Sequence, residues 1–149
     1  MLIGQYHTRL SGKGRTAVPV RFREELGETI VVSRWYEGSL AIFAQKAWER
    51  MLEVAVGGSL LTRPTRETER FLLGGAYEIR LDAQGRFVIP RPLREYARLT
   101  NEVVFVGLRD RAEVWNKKDW IAKEEDITKR AEKLIEEVQQ TKTQNEKEW

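Results

Sequence analysis

The chain has no cysteine and a single histidine, His7, among its 149 residues. The lack of cysteine excludes disulfide bonds and thiolate-bound zinc, and one imidazole cannot build a transition-metal site. We therefore expect no metal and no cofactor. No nucleophile has a histidine partner, because His7 lies in a basic strand, and no spacing of carboxylates indicates an acid–base pair. An enzyme is thus the least favoured class of protein.

Long apolar runs are also missing, since no stretch approaches the roughly 20 residues needed to span a membrane. The first ten residues, MLIGQYHTRL, lack the basic and apolar regions of a secretory signal. The hydrophobic share is 41% and the charged share is 33%, which is typical of a globular protein with a wet surface. We expect a protein of the reducing cytoplasm with no membrane partner.

Positive charge is in small excess but unevenly distributed. The net charge is +3, from 26 basic and 23 acidic residues. This value permits an anionic partner without requiring one. Ten basic residues crowd two short stretches of the chain: Arg9, Lys13, Arg15, Arg21 and Arg23 in the first, and Arg80, Arg86, Arg91, Arg94 and Arg98 in the second.

The two basic stretches are copies of each other. RLSGKGRTAVPVRFREEL (residues 9–26) aligns with RLDAQGRFVIPRPLREYA (residues 80–97) at a shift of 71. The likeness continues to Ile42 and Val114 at a shift of 72, which indicates a duplicated unit. The matched pairs in the turn are Arg9 and Arg80, Leu10 and Leu81, Gly14 and Gly85, Arg15 and Arg86, Pro19 and Pro90, Arg23 and Arg94, and Glu24 and Glu95.

Each copy predicts a strand, a Gly-containing turn, a strand, a short helix and a β-hairpin. We predict an α+β, β-rich fold with repeat 1 at 5–54, a linker with a short helix at 55–76, and repeat 2 at 77–120. A C-terminal helix with a polar tail is predicted at 117–149, frayed from Gln139. Its apolar stripe, which includes Ile127, Leu134 and Val138, would pack either on the body of its own chain or on a neighbouring subunit.

The repeated turn combines the two residue types suited to a polyanion. Glycine permits a positive φ and a close approach of the backbone, and the arginine fork fits phosphate oxygens or the guanine edge. The alternative without a binding function is that each turn arginine is merely solvated, in a surface ion pair worth about 0–1 kcal/mol. The candidate binding residues are Arg15, Arg86, Lys13, Arg9, Arg80 and Gln84. The candidate loop-shaping residues are Ser11, Gly14, Asp82 and Gly85.

Three stretches resemble the MraZ family of bacterial regulators, which contain two tandem SpoVT-AbrB-type domains. They are MLIGQYHTRLSGKGRTAVPVRFRE, TRETERFLLGGAYEIRLDAQGRFVIPRPLREYA and VVFVGLRDRAEVWNKKDW. The resemblance implies a swapped-hairpin AbrB/SpoVT-type β-barrel and a ring-shaped homo-oligomer. It also implies a nucleoid-associated transcription regulator that binds double-stranded DNA, at short direct repeats upstream of its own gene in the division and cell wall cluster.

The family's DNA contacts lie in D-x-x-x-R loops, which Asp82 and Arg86 match fully. The first loop departs from the pattern, since Ser11 occupies the acidic position while Lys13, Gly14 and Arg15 match. Serine can brace the turn through a hydrogen bond but cannot form an ion pair. The alternative function is an oligomeric protein-interaction scaffold whose basic loops dock an acidic protein, and neither function involves a small-molecule substrate.

Overall fold

The computed structural model describes residues 1–147, and this part of the chain forms eight β-strands and six α-helices. The strands are β1 (Leu2–Arg9), β2 (Arg15–Ala17), β3 (Thr29–Arg34), β4 (Leu40–Ala44), β5 (Tyr77–Arg80), β6 (Arg86–Val88), β7 (Glu102–Arg109) and β8 (Arg111–Asn116). The helices are α1 (Val20–Leu26), α2 (Gln45–Val56), α3 (Arg63–Leu72), α4 (Arg91–Tyr96), α5 (Lys117–Lys129) and α6 (Ala131–Lys147).

The chain divides into two compact units, Met1–Lys117 and the segment from Lys118 onward. The second unit is helical, and its helix is interrupted at Arg130, where we predicted one continuous helix. We predicted that the polar stretch from Gln139 would be frayed, but the structure has it as helix through Lys147. Glu148 and Trp149 lie outside the described residues.

Strands of the two repeats pair with each other throughout the first unit. The larger sheet has the order β1-β7-β8-β4-β3-β5, so that β1 of repeat 1 pairs with β7 of repeat 2 and β5 of repeat 2 pairs with β3 of repeat 1. The two shortest strands, β2 and β6, pair only with each other. Neither repeat therefore completes a sheet alone.

The predicted α+β, β-rich class is confirmed, with a difference in how the strands close. The six-stranded sheet is open, because β1 and β5 are both edge strands, whereas the resemblance implied a closed barrel. Strands β2 and β6 are not part of this sheet and form a separate antiparallel ribbon.

The period-2 alternation of the central strands supplies two apolar clusters, one on each face of the sheet. Ile30 and Val32 of β3 join the larger cluster, whereas Val31 between them joins the smaller one. The larger cluster takes matched residues from both repeats, among them Leu10 with Leu81, Val18 with Ile89, and Phe22 with Leu93. The two repeats thus share one hydrophobic core.

Helix α3 is tied to β3 by side chains that donate to carbonyl groups at the end of the helix. The buried Ser33 Oγ donates to the Leu72 carbonyl at 2.8 Å, and Arg34 Nε donates to the Phe71 carbonyl at 3.0 Å. Carbonyls in the last turn of a helix have no partner within the helix, so these bonds satisfy groups that would otherwise be buried unpaired. Helix α3 lies within the segment 55–76, which we predicted to hold a short helix.

Candidate nucleic-acid interface

The β2–β6 ribbon places an arginine of each repeat on the same face. Arg15 lies opposite Val88 and Ala17 lies opposite Arg86, with Thr16 and Phe87 paired between them. Thr16 and Phe87 are buried, so alternation directs the four flanking side chains outward. Arg15 and Arg86 are diagonal neighbours across the two strands, a position at which Cα atoms are typically about 7–8 Å apart. We call this outward surface, formed by Arg15, Ala17, Arg86 and Val88, the ribbon face.

The turn that precedes each ribbon strand is closed by the same backbone bonds. We call residues 11–15 loop 1 and residues 82–86 loop 2. In loop 1 the Gly14 amide donates to the Ser11 carbonyl at 2.9 Å, and in loop 2 the Gly85 amide donates to the Asp82 carbonyl at 2.9 Å. Both glycines have a positive φ, +82° and +74°, as the sequence analysis required.

Each loop is also bonded to the other repeat. The Val18 amide donates to the Gly85 carbonyl at 2.9 Å, and the Ile89 amide donates to the Gly14 carbonyl at 2.8 Å. Because each glycine carbonyl accepts from the opposite strand, the two loops are held in a fixed relation and the ribbon face is one surface.

Two further arginines cross between the repeats, and the sequence analysis assigned them no role. The Arg23 side chain packs on Gly85, and the Arg94 side chain packs on Gly14, so closely that an added Cβ would lie 2.3 Å and 2.6 Å from the respective Nε atoms. Arg23 Nε donates to the Val18 carbonyl at 2.9 Å. The identity of Arg23 and Arg94 in the aligned repeats was the signal that could have identified this crossing.

Loop 2 holds its arginine through side-chain contacts. Asp82 Oδ1 accepts from the amides of Gln84 and Arg86 at 2.9 and 2.8 Å, and Asp82 Oδ2 accepts from Arg86 Nε at 2.7 Å. The Arg86 Nη2 group donates to Gln84 Oε1 at 3.2 Å. The backbone amide of Arg86 is the main cause of a lowered Asp82 pKa, so the carboxylate stays ionised.

Loop 1 keeps the turn but does not hold its arginine. Ser11 Oγ accepts from the Arg15 amide at 3.0 Å, which replaces one of the bonds that Asp82 makes. Within residues 1–147 no hydrogen bond or ion pair involves the side chains of Lys13 or Arg15. Serine therefore braces the loop, as we expected, and leaves the guanidinium of Arg15 exposed to solvent.

The remaining predicted residues flank the ribbon unequally. Arg80, Arg15 and Arg86 line one shallow depression beside Asp82. Arg80 also forms a long ion pair of 3.8 Å with Glu28, and both side chains are exposed. Arg9 ends β1 opposite Glu102 and does not line that depression. The structure thus brings Arg15, Arg80 and Arg86 together and leaves Arg9 apart.

Among residues 1–147 no group of three or more His, Cys, Asp or Glu side chains is placed to hold a metal ion. No helix in that range is both long enough and apolar enough to cross a bilayer. His7 lies exposed on β1.

The fold and the ribbon define a class: proteins in which two tandem repeats exchange strands around one core and present a doubled Gly-Arg turn. Within that class, the chain belongs to the MraZ family. The family's sequence profile, described as "MraZ protein, putative antitoxin-like", matches residues 1–71 and again residues 72–145. This double match confirms the resemblance seen in the sequence.

Similar proteins carry the name transcriptional regulator MraZ. That of Caldanaerobacter subterraneus subsp. tengcongensis is 36% identical over 138 residues, which cover 93% of this chain and 94% of the relative. That of Thermoanaerobacter sp. is 38% identical over 120 residues, covering 80% and 84%. That of Carboxydothermus hydrogenoformans is 39% identical over 120 residues, with the same two coverages of 80% and 84%.

Proposed function

We propose that this chain is a DNA-binding transcriptional regulator that contacts double-stranded DNA through the ribbon face. The observation that carries the proposal is the pairing of β2 with β6, which sets Arg15 and Arg86 of the two repeats side by side on one exposed surface. The names of the relatives support it, since each is called a transcriptional regulator. That name describes regulation and not turnover of a substrate, in agreement with the expectation that the chain is not an enzyme.

The two-stranded form of the ribbon supports such contact. A two-stranded β-ribbon fits the major groove, where an arginine fork pairs with O6 and N7 of guanine. Val88 lies on the same face, opposite Arg15 and two residues from Arg86, and is 45% exposed, and an apolar side chain there suits the thymine methyl group. Lys13 and Gln84 lie in loops 1 and 2, and Arg80, beside the ribbon, and Arg9, apart from it, are the proposed phosphate contacts.

Family membership supports two further proposals, on the DNA target and on the assembly state. The chain binds short direct repeats upstream of its own gene, in the division and cell wall cluster, and so acts at the nucleoid in the cytoplasm. A ring of copies presents the ribbon face repeatedly, and linked weak contacts gain from high effective concentration. Apolar side chains exposed at Val54, Leu60 and Leu61 support self-association. Residues 5–54 and 77–120 serve as the DNA-binding repeats, 55–76 as the linker, and 117–149 as the C-terminal segment.

Fluorescence anisotropy with a labelled duplex from the chain's own upstream region tests the proposal. Arg15→Ala and Arg86→Ala are each expected to weaken binding by about 1–3 kcal/mol, since each removes one arginine contact. The log of the parent's association constant should fall steeply with the log of salt concentration, by about 0.9 for each neutralised phosphate. Both variants are expected to keep the parent's circular dichroism spectrum and size.

Arg63→Ala is the matched control, because Arg63 is exposed on α3, away from the ribbon, and pairs with Glu67 at 3.8 Å. It removes the same charge and should bind DNA with nearly the parent's affinity. If Arg15→Ala and Arg86→Ala both bind as tightly as Arg63→Ala, the ribbon face is not the DNA surface.

A second candidate function is the docking of an acidic protein by the same cations. The phrase "antitoxin-like" in the family description favours it, because an antitoxin acts by binding a protein. A pull-down from a nuclease-treated lysate separates the two functions. Protein partners that persist after nuclease treatment and disappear with Arg15→Ala and Arg86→Ala would favour docking, whereas loss of all partners with the nucleic acid would favour DNA binding.

A further inference from the structure

The two loops differ at each of their first three positions and share only the Gly-Arg pair that follows. Loop 1 reads Ser-Gly-Lys-Gly-Arg and loop 2 reads Asp-Ala-Gln-Gly-Arg. Loop 1 therefore has two cations and no anion, a net charge of +2 from Lys13 and Arg15. Loop 2 has one cation and one anion, Arg86 and Asp82, and a net charge of zero.

Loop 2 fixes the direction of its guanidinium. Arg86 gives its Nε proton to Asp82 at 2.7 Å and one Nη2 proton to Gln84 at 3.2 Å. An arginine has five N–H donors, so these two bonds leave the end of the fork, formed by Nη1 and the second Nη2 proton, facing outward. A fork held in one orientation is preorganised for a bidentate contact with a planar edge.

Loop 1 lacks both of these supports. Lys13 occupies the position of Gln84, and an ammonium group has no acceptor to offer Arg15. Ser11 reaches the Arg15 amide at 3.0 Å and does not contact the guanidinium. Gly12 replaces Ala83 and has open space around the position of a Cβ, so the loop keeps more backbone freedom. Two cations that no side chain holds in one orientation suit diffuse charge such as phosphate.

The surroundings enlarge this difference. A depression beside loop 1 is lined by Ser11 and Gly12 together with four charged residues of the second repeat, Arg91, Arg94, Glu95 and Arg98, of which Arg91 and Glu95 form an ion pair at 2.9 Å. The aligned positions beside loop 2, at a shift of 71, are Val20, Arg23, Glu24 and Gly27, so the formal charge of these four positions is zero, against +2 beside loop 1. The positive surface thus continues from loop 1 onto α4, whereas beside loop 2 it does not.

We propose that the two loops divide the recognition of DNA: loop 2 reads a base edge through the fixed fork of Arg86, and loop 1 contacts phosphates through Lys13 and Arg15. This inference rests on the proposed DNA-binding function and goes beyond it. One protomer then has an intrinsic direction on DNA, because its two contacts are unlike. Such a direction matches a target built of direct repeats, in which every unit has the same orientation.

Exchange of the loop sequences tests the division. Variant A converts loop 1 to the loop 2 sequence with Ser11→Asp, Gly12→Ala and Lys13→Gln. Variant B makes the reverse change with Asp82→Ser, Ala83→Gly and Gln84→Lys. Anisotropy is measured for the parent and both variants across a salt series, on the chain's own upstream duplex and on a scrambled duplex of equal length and composition. Circular dichroism and gel filtration verify fold and assembly.

Variant B should lose most of the discrimination between the two duplexes, a change of roughly ten- to a hundredfold, because its arginine is no longer held. Its salt slope should become steeper, by up to about 1.8, because the loop gains two units of positive charge. Variant A should lose affinity for the upstream and the scrambled duplex by about the same factor, so that its discrimination between them is kept. Its salt slope should be shallower than the parent's, because loop 1 loses two units of positive charge. Equal loss of discrimination in A and B, or loss in A alone, would overturn the division of roles.

Asp82→Asn supplies a second test in which the turn itself is preserved. Asparagine Oδ1 can still accept from the amides of Gln84 and Arg86, while the ion pair to Arg86 Nε is lost. Discrimination should fall as in variant B, and an unchanged value would refute the role of the held fork. A parent that binds neither duplex would refute the proposed function. A parent that binds both duplexes equally would refute base reading by loop 2 and would leave the DNA-binding function standing.

Discussion

Substitution of Gly85 by alanine should destabilise the protein through two separable effects. Gly85 has a φ of +74°, and a left-handed backbone costs an L-residue about 1–2 kcal/mol. An added Cβ would also lie 2.3 Å from Arg23 Nε. The Arg23 side chain can move aside, but it then gives up its 2.9 Å bond to the Val18 carbonyl. A hydrogen bond with a charged donor contributes about 1.5–3 kcal/mol, so the total is about 2.5–5 kcal/mol.

Gly38 offers a matched control for the backbone effect alone. Its φ is also +74°, and no heavy atom lies within 4 Å of the position of its Cβ. Gly38→Ala should therefore cost only about 1–2 kcal/mol in the free energy of unfolding. The difference between the two variants isolates the contact with Arg23.

Urea unfolding, monitored by tryptophan fluorescence at one fixed protein concentration, measures these costs, because self-association would otherwise alter the apparent stability. Introduced into an Arg23→Ala background, Gly85→Ala should cost only the backbone term, because the crossing side chain is gone. The reasoning is refuted if Gly85→Ala and Gly38→Ala agree within about 0.5 kcal/mol, or if the cost of Gly85→Ala is the same in both backgrounds.

Two further predictions concern buried polar groups. Burial raises the pKa of Glu113, although the Trp115 indole at 2.9 Å and the nearby Arg111 oppose the shift. The folded state thus holds this proton more tightly than the unfolded state, so stability should fall as pH rises from the ordinary carboxyl range through the raised pKa. Glu113→Gln should remove that decline in urea titrations between about pH 4 and pH 8, and an unchanged profile would contradict the assignment. Ser33→Ala leaves the Leu72 carbonyl without its 2.8 Å bond and should cost about 1–3 kcal/mol, measured by the same unfolding assay, and a cost near zero would mean that water reaches that carbonyl.

The local elements were predictable from the sequence because their signals are local. β-branched runs such as Thr29–Arg34 predict strands, and Gly27 and Pro19 predict where α1 ends and begins. The pairing of strands was not predictable from composition or spacing. The register of β1 on β7 joins residues about a hundred positions apart, and a duplicated sequence alone is equally compatible with two repeats that fold separately.

In the candidate site, too, the local features were predictable from the sequence and the contacts between repeats were not. The glycines and arginines of the turns were identified from their repetition, and the bond from Ser11 Oγ to the Arg15 amide agrees with the role expected of serine. The packing of Arg23 on Gly85 was not found, because the contact joins two repeats and depends on the exchange of strands. Repetition indicated that Arg23 and Arg94 matter, and only the fold explains why.

The pattern of identity and difference between the repeats follows from what touches each position. Gly14 and Gly85 are the same in both copies because a crossing arginine leaves no room for a Cβ on either. Gly12 at the tip of loop 1 is free to differ from Ala83 of loop 2, since no heavy atom lies within 4 Å of a Cβ built there. A homodimer of single repeats would be bound to carry two identical loops. The tandem chain keeps the shared core and the crossing arginines in both copies while its two tips can differ, as the proposed division of DNA contacts requires.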